Sequence, residues 1–188
     1  MIKRSITFMT LALALTTLCQ AQSRKVINLS SWDFSRDGKA WQQVAVPHDW
    51  AISGPFDKKW DLQMVAIEQN GETEKTEKSG RSGALPWIGE GMYKMNWTAP
   101  KGYKRAVLVF DGAMSQPVVS VNGKEAGKWA YGYNAFRIDI TPFIKFGKSN
   151  LIEVHLNNVE ESSRWYPGGG LYRPVSVELY GNENFSTW

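Results

Sequence analysis

The stretch SRWYPGGGLYRPVSVEL, Ser163 to Leu179, sets a cation and two large aromatics, Arg164, Trp165 and Tyr166, directly against three glycines. A guanidinium presents N–H donors in a fixed planar fork that suits hydroxyls and carboxylates alike. The two rings offer faces for stacking or anchors for an interface. Three glycines in a row lose much conformational entropy on ordering, so the run implies positive-φ turns or something lying close over the backbone. The segment reads as a difficult corner or as part of a site. A second polar pair, His48-Asp49, follows Pro47, which cannot donate to a strand ladder and turns the chain outward. For this pair the favoured reading is a satisfied corner, with Asp49 accepting backbone hydrogen bonds, over a contact with a ligand. His155 alternates with Ile152, Val154 and Leu156 and falls on the polar face with Glu153 and Asn157, a solvated strand face.

The segment ahead of these residues has its own logic. Lys3 and Arg4 precede an apolar run from Ile6 to Leu18, and Cys19-Gln20-Ala21 supplies small residues where a signal peptidase cuts. The run is too short to span a bilayer, and Leu18 is bulky for a lipoprotein site, so residues 1–21 read as a cleaved export signal. The expected location is periplasmic or secreted. Cys19, the one cysteine, leaves with the signal, so the mature chain holds together by packing without a disulfide. Lys3 and Arg4 leave too, and the net charge of +4 falls to +2, weak grounds for a nucleic-acid partner. All nine tryptophans remain, between Trp32 and Trp188. In exported proteins tryptophan-rich surfaces often stack on sugar rings, although most tryptophans are core.

The elements that must position these residues read as nearly all β. Trp41 to Val46, Met92 to Thr98, Arg105 to Phe110, Val118 to Val121, Phe136 to Ile140, Leu151 to Leu156 and Val175 to Tyr180 are short candidates, most alternating with period two. Asn122-Gly123 is the strongest hairpin signal. The segment Ile140 to Ile144 would start at most one helical turn, with Thr141 as its cap and Pro142 first. Glu68 to Gly83, polar and glycine-containing, reads as a long exposed loop. Short strands at this spacing describe an all-β sandwich, and the lack of a cysteine pair favours a jelly roll over an immunoglobulin type.

The blocks VAVPHDWAISGPFD (Val44 to Asp57), GEGMYKMNWTAP (Gly89 to Pro100), VFDGAMSQPVVSVNGKEAGKWAYGYNAFRIDIT (Val109 to Thr141) and SRWYPGGGLYRPVSVEL resemble, in order, the N-terminal sugar-binding domain of glycoside hydrolase family 2. The wording is most similar to exported β-galactosidase-like members. The resemblance implies a galactose-binding-like jelly roll over residues 22–182, with 183–188 beginning a linker to a next domain. It implies β-galactoside-like carbohydrate and further domains of a parent enzyme as partners, with no nucleic acid, membrane, cofactor or metal.

Hydrolysis of a glycoside calls for two carboxylates facing each other across the scissile bond, about 5–5.5 Å apart for retention and about 6.5–9.5 Å for inversion. Glu160-Glu161 is a loop pair, and Glu68, Glu72, Glu74 and Glu77 sit in the polar interval, so none forms a pocket motif. In the family resembled, both catalytic glutamates come from a TIM barrel that follows, and no residue of this chain is expected to be catalytic. The chain ends soon after its last strand, where the family continues, and reads as the first domain of a larger enzyme or a truncated gene. The resemblance also places the loop before the last strand at the barrel's mouth. There Arg164 takes a position where several members carry aspartate, contacting sugar, pairing with a barrel carboxylate or standing exposed to solvent. Trp165 and Tyr166 would stack on sugar or plug an interface, the latter favoured. Asn158 joins these three as a substrate-binding or interdomain candidate, with His48 and Asp49 as lesser ones. Two other classes stay open, a free-standing lectin-like module and a protein-binding structural domain. The lectin class expects aromatics spaced along one sheet face, whereas these are scattered over turns and both strand parities.

Overall fold

In the computed structural model, residues 24–54, 56–60, 63–78, 87, 89–159 and 168–181 are described. The alternation legible in LIEVHL extends over nine residues. Strand β11 (Ser149–Asn157) buries Asn150, Ile152, Val154 and Leu156 and turns Leu151, Glu153 and His155 aside. It runs antiparallel to β6 (Glu90–Thr98) over its whole length, Asn150 opposite Trp97 and Leu156 opposite Gly91. Around this pair a six-stranded sheet forms in the order β3-β2-β6-β11-β8-β9, with β2 at Ser31–Ser35, β3 at Gln42–Ala45, β8 at Val118–Val121 and β9 at Lys124–Lys128. A four-stranded sheet has the order β1-β12-β7-β10, built from Lys25–Asn28, Val175–Tyr180, Arg105–Phe110 and Phe136–Asp139.

One apolar cluster joins the sheets into a β-sandwich: Trp32, Phe34, Tyr93 and Ile152 from the larger, Leu108, Phe110, Ile138 and Val177 from the smaller. The run RAVLVF of β7 is apolar on both parities because both of its faces are covered. Ala106, Leu108 and Phe110 point into the main core, while Val107 and Val109 meet Tyr180 in a second cluster. On that second face Glu178, its side chain 4% exposed, accepts from Arg24 at 2.5 Å, from Arg137 and from the Tyr180 hydroxyl.

The Asn-Gly hairpin is present between β8 and β9, with Asn122 at φ 52° and Gly123 at φ 76°, both central residues left-handed as a type I′ turn requires. Asn122 does more than turn the chain. Its side chain donates to Phe143 O and to Asn150 Oδ1 and accepts from Leu151 N, tying the hairpin to β11 and to the turn at Ile140–Ile144.

The strand Ser31–Ser35 had no counterpart among the candidates, and Trp32 and Phe34 on it are among the deepest core residues. Two expectations need correction. Thr141 does not cap its turn. Its hydroxyl exchanges hydrogen bonds with the Ala106 backbone, and Asp139 Oδ1 accepts from Thr141 N instead, so the local carboxylate wins the orphan donor. The interval from Glu68 is not uniformly loop: Glu68–Asn70 is a 3-10 turn, and β5 (Thr76–Lys78) pairs with β4 (Gln63–Val65) in a two-stranded sheet. His155 lies on the exposed strand face as expected, its Nε2 3.3 Å from Glu90 Oε2 on the neighbouring strand. The candidate leader and residues 183–188 lie outside the described residues.

Candidate functional site

At one end of the sandwich three loop ends meet on the glycine run. Gly168 and Gly170 take positive φ, 63° and 111°, so the chain makes two bends that side-chain-bearing residues rarely adopt. Between them Gly169 runs beneath the indole of Trp50, and a Cβ there would stand 2.2 Å from Nε1. What lies over the backbone is thus a ring from the VPHDW segment. That segment pairs with the glycine run as a short ladder: His48 N donates to Leu171 O at 2.8 Å and Trp50 N to Gly169 O at 2.9 Å. Asp49 Oδ1 accepts from Gly169 N at 2.9 Å and from Ala51 N at 2.8 Å. On the far side Gly170 exchanges both backbone hydrogen bonds with Met114. Asn158 completes the corner, its Nδ2 donating to Gly168 O at 2.8 Å and its N to Gly89 O at 3.0 Å.

The ring system beneath is continuous. Trp50 is fully buried and stacks on Phe34 at 5.5 Å, Phe34 tilts against Tyr93 at 4.8 Å, and Trp87 leans on Trp50 from outside at 5.5 Å. Arg36 lies over Trp87, 4.8 Å from its centroid, and donates to Gly54 O. His48 Nδ1 stands 2.7 Å from the Tyr93 hydroxyl. Burial lowers the imidazole's affinity for a proton and raises that of the phenolate, so both groups are neutral.

Of the residues singled out from sequence, His48, Asp49 and Asn158 are brought together here, all three bonded to the 168–171 segment. His48 and Asp49 are half-buried, and Asp49 is engaged by backbone N–H groups. Arg164, Trp165 and Tyr166 lie outside the described residues, as do Glu160 and Glu161. The segment carrying them leaves from Asn158-Val159 and returns at Gly168, where Asn158 bonds. Two buried polar atoms of the corner, Asn158 Oδ1 and Trp50 Nε1, have no hydrogen-bond partner among the described residues. Each such atom costs about 1–3 kcal/mol in a closed fold. Trp50, Tyr93 and Gly91 were missed, and Gly91 is as constrained as Gly169: a Cβ on it would meet the Trp50 ring at 2.2 Å. The tryptophan in VPHDW was the available signal.

An open cleft of about 500 Å³ adjoins this corner through Phe34 and Arg36 and is lined also by Ser35, Asp37, Ala40, Trp41 and Gln42. Several of its polar groups are engaged within the fold. Asp37 is held down to about 2, chiefly by the Ala40 and Lys39 amides it accepts from and also by Ser35. Lys94 covers the Trp41 ring at 3.7 Å.

No family model matches the chain. It is 32% identical over 151 residues to beta-galactosidase BoGH2A of Bacteroides ovatus, a match covering 79% of this chain and 16% of that protein. It is 29% identical over 173 residues to a beta-glucuronidase of Bacteroides fragilis, covering 84% and 21%. Among solved structures it superposes on a glycosyl hydrolase family 2 member from Bacteroides cellulosilyticus with a TM-score of 0.71 at 27% identity, covering 87% of this chain and 22% of that one. A beta-glycosidase from Bacteroides vulgatus gives a TM-score of 0.64 at 28% identity, with 82% and 20% covered. The chain spans less than a quarter of each of these proteins.

Proposed function

Glycoside hydrolase family 2 is the family to which this chain belongs, and from that premise we propose that it is the N-terminal sugar-binding domain of a larger, exported, β-galactosidase-like enzyme. In this reading the domain carries no acid or nucleophile. It shapes the rim of a substrate pocket whose two carboxylates come from another domain. The observation that carries the reading is the convergence on the glycine run: the ends of three loops, at His48–Trp50, Gly89 and Asn158, are bonded to each other or to Gly168–Leu171. Among the described residues, Asn158 Oδ1 and Trp50 Nε1 of this corner keep unmet hydrogen-bonding capacity. The names of the relatives, beta-galactosidase and beta-glucuronidase, support a β-glycoside as substrate. The leader in residues 1–21 supports a periplasmic or secreted location, with a mature N-terminus at Gln22 that mass spectrometry would read.

The test separates the domain from the enzyme. Residues 22–188 alone should not hydrolyse nitrophenyl galactoside or glucuronide. Turnover by the pure chain, abolished by one Asp or Glu substitution, would overturn the proposal. In the full-length protein Arg164→Ala and Trp165→Ala should each lower activity about tenfold or more, the scale of one lost anchor or hydrogen bond in a site. The melting temperature of the isolated domain should change little.

A further inference from the structure

Four pairs in the sequence set an Asp or Asn directly before glycine: Asp37-Gly38, Asn70-Gly71, Asp111-Gly112 and Asn122-Gly123. In each, a side-chain carbonyl carbon lies next to a main-chain nitrogen whose own residue has no Cβ, so that nitrogen can reach the side chain and close a five-membered imide. Closure needs a side chain free to swing, an open approach for hydroxide and water, and a carbonyl that is not an ionised carboxylate. The fold treats the four pairs differently.

Asp37 is fixed, its Oδ1 accepting from Ala40 N at 3.0 Å and Lys39 N at 2.8 Å. Those amides keep the group an anion, which a nucleophile does not attack. Asp111-Gly112 is closed in: Gly112 is buried, and a Cβ on it would stand 2.8 Å from the Tyr172 hydroxyl and 2.9 Å from Arg173 Cδ. Asn122 is held by three side-chain bonds, from Nδ2 to Phe143 O at 2.8 Å and Asn150 Oδ1 at 2.9 Å, and to Oδ1 from Leu151 N at 3.1 Å. Asn70 differs on every count. It and Gly71 are exposed, nothing lies within 4 Å of a Cβ built on Gly71, and no described residue hydrogen-bonds the Asn70 side-chain amide. The main chain there is held by Asn70 N to Ile67 O and Gly71 N to Glu68 O, both 2.9 Å. These close a single exposed 3-10 turn, the kind of element that opens most readily.

We propose that Asn70-Gly71 is a site of spontaneous covalent modification, deamidating through a succinimide while the fold keeps Asn122-Gly123 intact. The Gly71 nitrogen gives its proton to hydroxide and attacks Asn70 Cγ. The N–Cγ bond forms, the Cγ–Nδ2 bond breaks, and ammonia leaves with a proton taken from water. Water then adds to one of the two ring carbonyls. Opening at Cγ leaves aspartate; opening at the main-chain carbonyl leaves isoaspartate, whose backbone runs through Cβ and Cγ and is one carbon longer. That extra carbon falls between two residues tied across the turn, since Ile67 N donates to Glu72 Oε2 at 3.0 Å while Glu72 Oε1 accepts from Lys78 Nζ of β5 at 3.0 Å. The change therefore acts on the β4–β5 hairpin and spares the sandwich that Asn122 ties together.

The experiment incubates the purified chain in heavy-oxygen water at pH 8, once folded and once in urea. It is then digested in ordinary water and mapped by mass spectrometry, with fragmentation that separates aspartate from isoaspartate. Label uptake marks conversion during incubation rather than digestion. In the folded chain position 70 should convert at least about tenfold faster than position 122, the least that three hydrogen bonds of ordinary net strength would impose on Asn122. In urea the two should convert at similar rates, because the Asn-Gly chemistry is shared and the restraints are gone. Asn70→Gln, whose imide would need a six-membered ring, should abolish the label at that position and leave the melting temperature unchanged. Conversion at 122 as fast as at 70 in the folded chain, or none at 70 until urea is added, overturns the proposal. A gap between the two that persists in urea overturns it as well, by placing the difference in the neighbouring sequence rather than in the fold.

Discussion

Gly169 and Trp50 are packed so closely that no side chain fits between them: a Cβ on Gly169 would fall 2.2 Å from Nε1 and 2.4 Å from Cε2 of the indole. Trp50 is fully buried and lies in a ring cluster, so it has nowhere to retreat. Gly169→Ala should therefore destabilise the domain by about 3 kcal/mol, the upper range for overpacking. Gly91→Ala, which meets the same ring at 2.2 Å from the opposite strand, should cost a similar amount. Chemical denaturation of the isolated domain checks both, and a loss under 1 kcal/mol in either would show that Trp50 can move.

Asp49 serves the same corner through one oxygen. Replacing it with Ala removes the acceptor for Gly169 N and Ala51 N, and hydrogen bonds to a charged group contribute about 1.5–3 kcal/mol. A fall of about 2 kcal/mol in unfolding free energy is expected. Asp49→Asn, which keeps an oxygen acceptor, should recover more than half of it.

His48 makes the corner sensitive to acid. Burial holds its folded pKa below the ordinary histidine value of about 6.5, so the unfolded chain takes up a proton first as pH falls. The stabilisation is fully present above about pH 6.5 and is lost progressively as pH drops toward the depressed folded value. Unfolding free energies at pH 7.5 and 5.5 should therefore differ by more in the wild type than in His48→Gln. Equal differences would show that the ring meets solvent on both sides of the equilibrium.

Glu178 acts in a lower window on the other sheet. Burial alone would raise its carboxyl, but the Tyr180 hydroxyl, Arg24 and Arg137 outweigh that and hold it below the usual range. Its contribution is present above the unfolded value near 4.3 and disappears as pH falls through the depressed folded one. Glu178→Gln removes the carboxylate charge that Arg24 and Arg137 share and should cost about 3 kcal/mol at pH 7, the low end for a broken buried pair because Arg24 is half exposed. The penalty should shrink at pH 3, measured by urea titration.

What was legible in sequence followed from periodicity strong enough to survive short length. The strands β6, β7, β8, β10, β11 and β12 each carry an alternating or continuous apolar run, and Asn122-Gly123 announced its hairpin. Strand β2 was missed although Trp32 and Phe34 alternate, because three serines within and before SWDFS look like a turn. Strand β1 is an edge whose residues are mostly exposed, and β4 and β5 are three residues each, too short for any period to show. At the site, the glycines announced a close approach, but their partner Trp50 lies 119 positions away, and pairing across that distance has no local signature.

The bond from Asn158 Nδ2 to Gly168 O, 2.8 Å long, brings the chain's exit and its re-entry to a single point. The entropy of closing a loop grows only with the logarithm of its length. Once that point is fixed by Asn158, Asp49 and Trp50, exchanging residues 160–167 for a longer, shorter or differently charged segment leaves the sandwich almost indifferent. The corner then behaves as a socket. Evolution or an engineer can change the plug without renegotiating the fold that holds it.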